Sequence, residues 1–221
     1  PAAGTVAYVQ TGAAETGSIV TLSNVVVTAD PQPDGSGFHF WVQDAGGGPH
    51  SGIFIKSDFR DEDISLPTGT VLDITGEVLE YFDLTEIVIS SADDLVVVST
   101  LVPVAPTVDT LTADDLADLE PWEGCLVAIG DVALTEALDH GEFPTEIGGA
   151  DLSIYLDDEA WSDLSERVAA GDAFDQVTGL LHYTFDNWKL EPRSATDLVP
   201  SPVDLDLDAD EDTDDADETD D

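Results

Sequence analysis

The sequence repeats itself, and this repeat restricts the fold more than any other feature. Three blocks of the first half recur in the same order in the second half. In the third of these blocks, the letters TG, FD, SA and DLV recur in register. Agreement of this kind indicates a duplicated structural unit. We predict one unit over residues 1–105, a second over 106–200, and a tail over 201–221. The matched blocks are Gly17–Ala29 with Gly124–Glu136, Phe38–Gly46 with Leu152–Ala160, and Asp73–Val96 with Gln176–Val199.

Each unit has the pattern of β-structure. Val20, Leu22 and Val26 alternate with their neighbours at the period of two that a strand requires. In the second unit, a helix is predicted over Glu159–Ala169 between the third and fourth strands. A five-stranded Greek-key barrel is the plan of the OB-fold. We therefore predict an all-β fold of two tandem OB-like barrels with short helices and a disordered acidic C-terminal tail. A β-sandwich stays open, because periodicity does not fix topology.

Charge composition limits the partners of the chain. It has 49 acidic and 5 basic residues, a net charge of −44, and twelve of the acids in residues 201–221. Like charges repel, so the tail is predicted to be disordered, whereas 42% hydrophobic residues allow the body to fold. Nucleic acid and anionic lipid need clustered Lys and Arg, so nucleic acid is not expected as a partner. No apolar run approaches the roughly 20 residues of a membrane span, so membrane insertion is not expected.

The sequence does not indicate catalytic chemistry. Its four histidines, His39, His50, His140 and His182, show no metal-binding spacing. Cys125 lies in an apolar segment, which favours a small buried side chain over a reactive thiol. No phosphate-binding glycine loop and no nucleophile elbow occur. We predict that the chain is not an enzyme.

One face of each barrel is a candidate binding surface, since OB-folds bind ligands on strands two and three. Alternation along the first unit places His39, Trp41 and Gln43 on the outside of the barrel. The aligned block of the second unit places Tyr155 and Asp157 there, so an aromatic side chain recurs. The two aromatic side chains could form a stacking platform for sugars or bases, or they could be buried between the barrels.

Divalent cations suit this composition, because Ca²⁺ takes oxygen ligands from Asp and Glu. The body offers two candidate runs, which are Asp61, Glu62 and Asp63, and Asp157, Asp158 and Glu159. The tail carries acids at alternate positions from Asp204 to Asp210, but it lacks the glycine and bidentate glutamate of a calcium-binding EF-hand loop. No cofactor is certain; Ca²⁺ is the candidate, and diffuse attraction of counterions is the alternative.

Three segments resemble one family of modules. GFHFWVQDAGGGPHSGIFIKSD is similar to the GxFxVQDxxGGxxSGIFV signature of OB-fold modules in secreted bacterial proteins. PWEGCLVAIGDVALTE and WKLEPRSATDL resemble the opening of that family's second unit and its closing segment. These modules often precede endonuclease/exonuclease/phosphatase-type nuclease domains, and they also occur in surface proteins without one. The resemblance implies an extracellular location and no particular reaction.

Together, these patterns predict a secreted or cell-surface, non-catalytic module for binding, spacing or assembly. Self-association into homo-oligomers through barrel edges fits this function. Two alternatives stay open. One is an accessory substrate-binding region of a secreted nuclease or phosphatase whose catalytic domain is absent here. The other is a stand-alone binder of polysaccharide or single-stranded nucleic acid.

Added salt is predicted to raise the melting temperature of the protein. A net charge of −44 produces self-repulsion that opposes compaction. The range of that repulsion falls from roughly 10 Å at 0.1 M salt to roughly 3 Å at 1 M. Thermal unfolding in NaCl between these two concentrations measures the change in melting temperature. Deletion of residues 201–221 should leave the effect of added cations on the melting temperature of the barrels largely unchanged. A melting temperature that stays flat or falls would show that repulsion does not limit this fold.

The same experiment separates a formed calcium site from diffuse attraction. If Ca²⁺ acts only as a counterion, Mg²⁺ should match it at equal ionic strength. A formed site would give stabilisation by dilute Ca²⁺ that Mg²⁺ does not reproduce, because Mg²⁺ requires a tighter octahedron and holds its water.

Overall fold

Thirteen strands and one short α-helix make up most of the described chain. The computed structural model describes residues 3–35, 37–60, 64–99 and 103–202. The helix is α1 (Val6–Gln10), and the strands are β1 (Ile19–Asp34), β2 (Gly37–Gln43), β3 (Gly52–Ser57), β4 (Val71–Tyr81), β5 (Leu84–Ile89), β6 (Leu95–Ser99), β7 (Asp109–Thr110), β8 (Leu126–Leu134), β9 (Phe143–Ile147), β10 (Ala150–Leu156), β11 (Ala173–Thr184), β12 (Asn187–Glu191) and β13 (Leu198–Pro200). Single 3-10 turns lie at Ala92–Asp94, Asp115–Ala117, Glu120–Trp122, Asp139–Gly141, Leu164–Glu166 and Ala195–Asp197.

Strands β1 to β5 close into a barrel. Their neighbour order is β1-β2-β3-β5-β4, and β4 pairs with β1 to complete the circle. Strands β3 and β5 are parallel, and the other pairs in the barrel are antiparallel. Strand β6 extends the sheet beside β4. This is the five-stranded Greek-key order of the OB-fold.

Strands β8 to β12 form a second barrel with the same order. The neighbours run β8-β9-β10-β12-β11, and β11 pairs with β8. Here β10 and β12 are the parallel pair, and β13 extends the sheet beside β11 as β6 does beside β4. The predicted architecture of two tandem OB-like barrels is therefore confirmed.

The registers of the two barrels match where the repeat is strongest. Gly76 lies opposite Val20 between β4 and β1, and Gly179 lies opposite Val127 between β11 and β8. A side chain on Gly179 would meet the backbone of Glu191, so the glycine allows two strands to approach closely. The third block of the predicted repeat thus describes equivalent positions.

The second block of the predicted repeat is wrong. Phe38–Gly46 covers β2, but Leu152–Ala160 covers the end of β10, which takes the place of β3. The parallel pairs fix this equivalence, since Ile55 lies opposite Ile87 and Leu156 lies opposite Leu190. Neighbouring strands alternate with the same period of two, so the pattern alone does not distinguish the second strand from the third.

The predicted helix at Glu159–Ala169 is reduced to one 3-10 turn over Leu164–Glu166. Its apolar stripe is nevertheless placed as expected, because Leu164 and Val168 are buried in the core of the second barrel. An isolated helix shorter than about 12 residues is marginal in water, so packing decides the local geometry. In the first barrel, residues 58–60 and 64–70 contain no helix.

Each barrel encloses its own apolar core. Phe38, Phe40 and Val42 point into the first barrel, as the alternation predicts, and Val6 and Val9 of α1 join the same core. The acidic tail beyond Pro202 lies outside the described residues, and its predicted disorder stays a prediction. Within the described ranges, the helices fall short of the length and apolarity that a membrane span requires.

Both barrels join their fourth and fifth strands by the same strained turn. Phe82 and Asp83 have φ of 50° and 66°, and Phe185 and Asp186 have φ of 50° and 60°. Two left-handed residues in a two-residue hairpin define a type I′ turn, which prefers Asn-Gly. Phe185 is 84% exposed, so no packing compensates for this conformation.

Phe185→Asn is predicted to raise the stability of the second barrel by about 1 kcal/mol, because Asn tolerates left-handed backbone better than Phe does. Phe82→Asn is the matched variant. It should gain less, since the Phe82 ring packs against Tyr81 at a centroid distance of 4.7 Å. Chemical denaturation measures both variants, and an unchanged or lowered stability for Phe185→Asn would contradict the assignment of strain to this turn.

Candidate functional site at the junction of the barrels

The predicted ligand face of the first barrel is covered by the second barrel. His39, Trp41 and Gln43 do point away from the core of their own barrel, but their exposures are 4%, 0% and 1%. Trp41 lies in an apolar cluster with residues from both barrels, among them Leu126 and Leu180. The predicted stacking platform at Trp41 is therefore wrong in this arrangement, and the alternative of burial between the barrels is confirmed.

Four rings form the centre of this junction. The Trp41 ring lies 5.4 Å from His39, 5.1 Å from Phe54 and 5.5 Å from His182, measured between centroids. Phe54 in turn contacts the His182 ring at 4.9 Å. Burial, with the nearby His39 and Lys189, lowers the pKa of His182 to about 3. His182 is therefore a neutral packing residue at ordinary pH.

Tyr155 and Asp157 do not form the counterpart of Trp41 and Gln43. Tyr155 on β10 is equivalent to Phe54, and Pro144 on β9 occupies the place that corresponds to Trp41. The Tyr155 ring is partly buried and lies 5.7 Å from the ammonium of Lys189. The recurrence of an aromatic side chain at one outward position is therefore a product of the wrong alignment.

Gln43 joins the barrels through hydrogen bonds. Its Oε1 accepts from the backbone N–H of Leu126 at 2.9 Å, and its Nε2 donates to the carbonyl of Thr107 at 3.3 Å. Both partners belong to the second unit, residues 106–200. A side chain predicted to contact a ligand therefore satisfies backbone groups at a buried interface.

The backbones of the two barrels touch at a pair of glycines. A side chain at Gly124 would lie 2.6 Å from the nitrogen of Ile53, and one at Gly52 would collide with the backbone of Gly124. Gly124 also has a left-handed φ of 71°. The Sγ of Cys125 accepts from the N–H of Gly52 at 3.2 Å, and burial raises the pKa of its thiol. Cys125 is thus a small interface residue.

The three candidate metal ligands point to different partners. Asp157 bonds to Lys189 at 3.1 Å, Asp158 lies beside Ser165 at 3.5 Å, and Glu159 lies 3.2 Å from Nε2 of His39. In the described ranges, no group of three or more His, Cys, Asp or Glu side chains is arranged to hold a metal ion. The structure therefore does not bring these three side chains together as a Ca²⁺ site, because consecutive side chains diverge where the chain leaves β10. The other candidate run, residues 61–63, lies outside the described residues.

A buried ion cluster takes the place of a metal site. Lys189, 1% exposed, donates to Asp157 and Glu142. Burial alone would lower the pKa of Lys189, but these carboxylates raise it. Burial, with the charges of Asp157 and Glu159, raises the pKa of Glu191 well above its ordinary value.

A second buried acid bridges α1, the first barrel and the second barrel. Glu123 is 1% exposed, and its Oε1 accepts from the N–H of Thr85 at 3.1 Å and from Gln10 at 3.4 Å. Burial, helped by the charges of Glu120 and Glu80, raises the pKa of Glu123 to about 8. The protonated form is therefore preferred at neutral pH.

Two clefts open along the rim of the junction. The polar cleft, of about 440 Å³, is lined by Asp30, Gln32 and Thr68 of the first barrel and by residues 160–163, Arg193 and Ser194 of the second. The acidic cleft, of about 540 Å³, is lined by Glu80, Asp83, residues 117–120, Tyr183 and Trp188. Burial and then the charges of Glu80 and Asp118 raise the pKa of Glu120 in that cleft.

Sequence reasoning did not single out Phe54, His182 or the polar cleft. Phe54 lies on β3, the strand that follows the strand of Trp41. Alternation along the β3 sequence GIFIKS could have predicted that its side chain points away from the core of the first barrel. The polar cleft gives no local sequence signal, because its residues come from four separate segments. Only the docking of the barrels brings them together.

Comparison with known proteins gives distant structural likeness alone. No family model and no curated protein matches the chain. Similar solved structures are the p204 HINb domain (14% identity, TM-score 0.37, 80% of this chain and 93% of that one), the tetrameric p202 HIN2 (12%, 0.37, 80% and 89%), and a murine DNA binding protein bound with ds DNA (14%, 0.36, 79% and 93%). These HIN neighbours are OB-fold-like. A likeness this distant carries no argument about function.

Net charge is too coarse a ground for the prediction that nucleic acid is not a partner, and that prediction is withdrawn. Nucleic acid was not expected as a partner, yet a protein that matches 79% of this chain is solved bound with ds DNA. Net charge is a sum over the whole chain, whereas contacts to phosphate also come from backbone N–H groups and hydroxyls at a local surface. Net charge by itself therefore does not exclude nucleic acid as a partner.

Glu123→Gln is predicted to change how stability depends on pH. Glu123 has an ordinary pKa of 4.5 when unfolded and of about 8 when folded. Its contribution is thus fully present below pH 4.5 and is lost as pH rises towards 8, by about 1.4 kcal/mol per unit. Glutamine keeps the neutral form, so the variant should match the parent in acid and exceed its stability at pH 8.

Denaturant unfolding across this pH range measures the effect, with the exposed Glu136→Gln as the charge-matched control. The control removes one negative charge without a buried partner, so its profile should follow the parent. Parallel profiles for Glu123→Gln and Glu136→Gln would refute the role of the buried carboxyl.

Proposed function

We propose that the chain is a rigid two-barrel module that binds or spaces other components outside the cell and carries out no reaction itself. The observation that carries this proposal is the buried junction. The outer face of strands two and three of the first barrel, which OB-folds use for ligands, holds the second barrel instead. The module then presents its rim clefts and edges to partners as one body.

The contacts across the junction support rigidity. They combine apolar burial at Trp41, backbone contact between Gly52 and Gly124, and side-chain bonds such as that of Gln43 to Leu126. Arg193 adds a bond from Nη1 to the carbonyl of Thr28 at 3.1 Å. Contacts of several kinds, spread over the interface, restrict rotation of one barrel against the other.

The environment of the reactive side chains supports a non-catalytic role. His39 and His182 are buried, and the pKa of His182 is lowered to about 3 by burial first. The thiol of Cys125 is buried, and burial raises its pKa, so the nucleophilic thiolate is disfavoured. General acid–base work needs a group that reaches substrate with a pKa near the working pH.

The resemblance to secreted bacterial modules supports a secreted or cell-surface location. The net charge of −44 fits a soluble surface module that attracts divalent cations as counterions. Self-association into homo-oligomers is part of this proposal. The same resemblance supports a second candidate, the accessory substrate-binding region of a secreted nuclease or phosphatase.

The location is tested on intact cells that produce the protein. Protease added outside the cells should remove the chain, as followed with an antibody, while a cytoplasmic marker stays intact. Protection of the chain until the cells are lysed would overturn the proposed location.

The rigid junction is tested by tumbling. Nuclear magnetic relaxation should give one rotational correlation time for both barrels of the parent chain. Gly52→Ala should separate the two times, because the added methyl group collides with the backbone of Gly124. Gly46→Ala is the matched control, since a side chain there meets nothing within 4 Å. Independent tumbling in the parent chain would overturn the rigid module.

A further inference from the structure

The polar cleft combines one aromatic ring with planar polar groups. Trp161 packs partly against the core of the second barrel and stays partly exposed in the cleft, beside the buried Ala160 of the junction. The volume of about 440 Å³ lies within the approximate 300–1,000 Å³ range of small-molecule sites. Both barrels line the cleft, so a ligand there would touch both.

Arg193 is held rigidly with donors to spare. Its Nε and Nη2 donate to Asp197 at 2.8 and 2.7 Å, and its Nη1 donates to the carbonyl of Thr28 at 3.1 Å. A guanidinium has five N–H donors, so two remain for other partners. A donor that is already fixed loses little conformational entropy on binding.

Acceptors line the same cleft as these donors. The Oδ1 of Asp30 accepts two bonds from Thr68, at 2.7 and 2.8 Å, and its Oδ2 accepts none from the described residues. The exposed carboxylate of Asp163 likewise has no hydrogen bond within the described ranges. Gln32 offers an amide oxygen, while its Nε2 donates to the carbonyl of Asp30 at 3.2 Å.

We propose that the polar cleft binds a neutral oligosaccharide, with one sugar ring on Trp161 and its hydroxyl groups between Arg193 and the carboxylates of Asp30 and Asp163. A sugar presents an apolar ring face and neighbouring hydroxyls that both donate and accept. The cleft disfavours an anion, because its two carboxylates repel one and the charge of Arg193 is already paired with Asp197. This inference rests on the proposed binding module and names its ligand.

Calorimetric titration of the full chain with neutral hexasaccharides tests the proposal. The probes are β-1,4-linked glucose, α-1,4-linked glucose and β-1,4-linked mannose hexamers. At least one should bind with a millimolar or tighter dissociation constant, and Trp161→Leu should weaken that binding by about tenfold or more through loss of the ring face. Asp163→Ala should also weaken it, since a hydroxyl acceptor is lost.

Two matched controls separate the cleft from general effects. Trp188→Leu also removes a partly exposed ring that packs on the second core, but Trp188 lines the acidic cleft. Glu166→Ala removes an exposed carboxylate of the same loop as Asp163 that does not line the polar cleft. Both should change the affinity by less than about twofold. Melting curves confirm that each variant is folded.

Three results would overturn the proposal. They are no binding of any neutral hexamer, equal losses for Trp161→Leu and Trp188→Leu, and preferred binding of an anionic oligosaccharide or a single-stranded oligonucleotide in the polar cleft. Such a result would leave the proposed two-barrel module intact if external protease still removes the chain from intact cells and both barrels still share one rotational correlation time. If either of those two measurements fails, the proposed module itself is overturned.

Discussion

Docking of the second barrel onto Trp41 and Phe54 is the interaction on which the rest of the structure depends. Each barrel has its own core, but these two aromatic side chains are buried in a separate cluster that also contains Leu126 and Leu180 of the second barrel. Burying an aromatic of this size contributes roughly 1.5–3 kcal/mol relative to leaving it exposed. The glycines at 52 and 124 make this docking close, since a side chain at either would force the backbones apart.

The same docking places polar groups where water does not reach them. Buried atoms without a hydrogen bond in the described ranges include Nε1 of Trp41, Nδ1 of His182 and Oε1 of Glu191. An unsatisfied buried polar group costs about 1–3 kcal/mol, so this junction is less stable than a purely apolar one of the same area. The shifted pKa values follow from it, because Glu123 and His182 both stay neutral when enclosed.

The junction also covers the face of the first barrel that OB-folds use for ligands. A single OB barrel offers its strand-two and strand-three face, but here the second barrel occupies that face of the first barrel, and two concave sites open at the rim of the junction. Residues of both barrels line each cleft, so the affinity for a ligand at the rim would depend on how the two barrels are positioned against each other. Binding at the polar cleft and rigidity of the junction are therefore expected to be coupled energetically.

The sequence by itself determined the duplication, the all-β class and the inward face of β2, because periodicity and matched glycines such as Gly76 and Gly179 are local and repeat at fixed spacing. It also determined that His39, Trp41 and Gln43 point away from their own core. Only the tertiary structure decided that this outward face is buried, that Tyr155 takes the place of Phe54, and that Asp157, Asp158 and Glu159 diverge. The physical reason is that alternation tells which side of a strand a residue faces, whereas what covers that side depends on contacts between segments more than one hundred residues apart, such as Gln10 with Glu123 and Arg193 with Thr28.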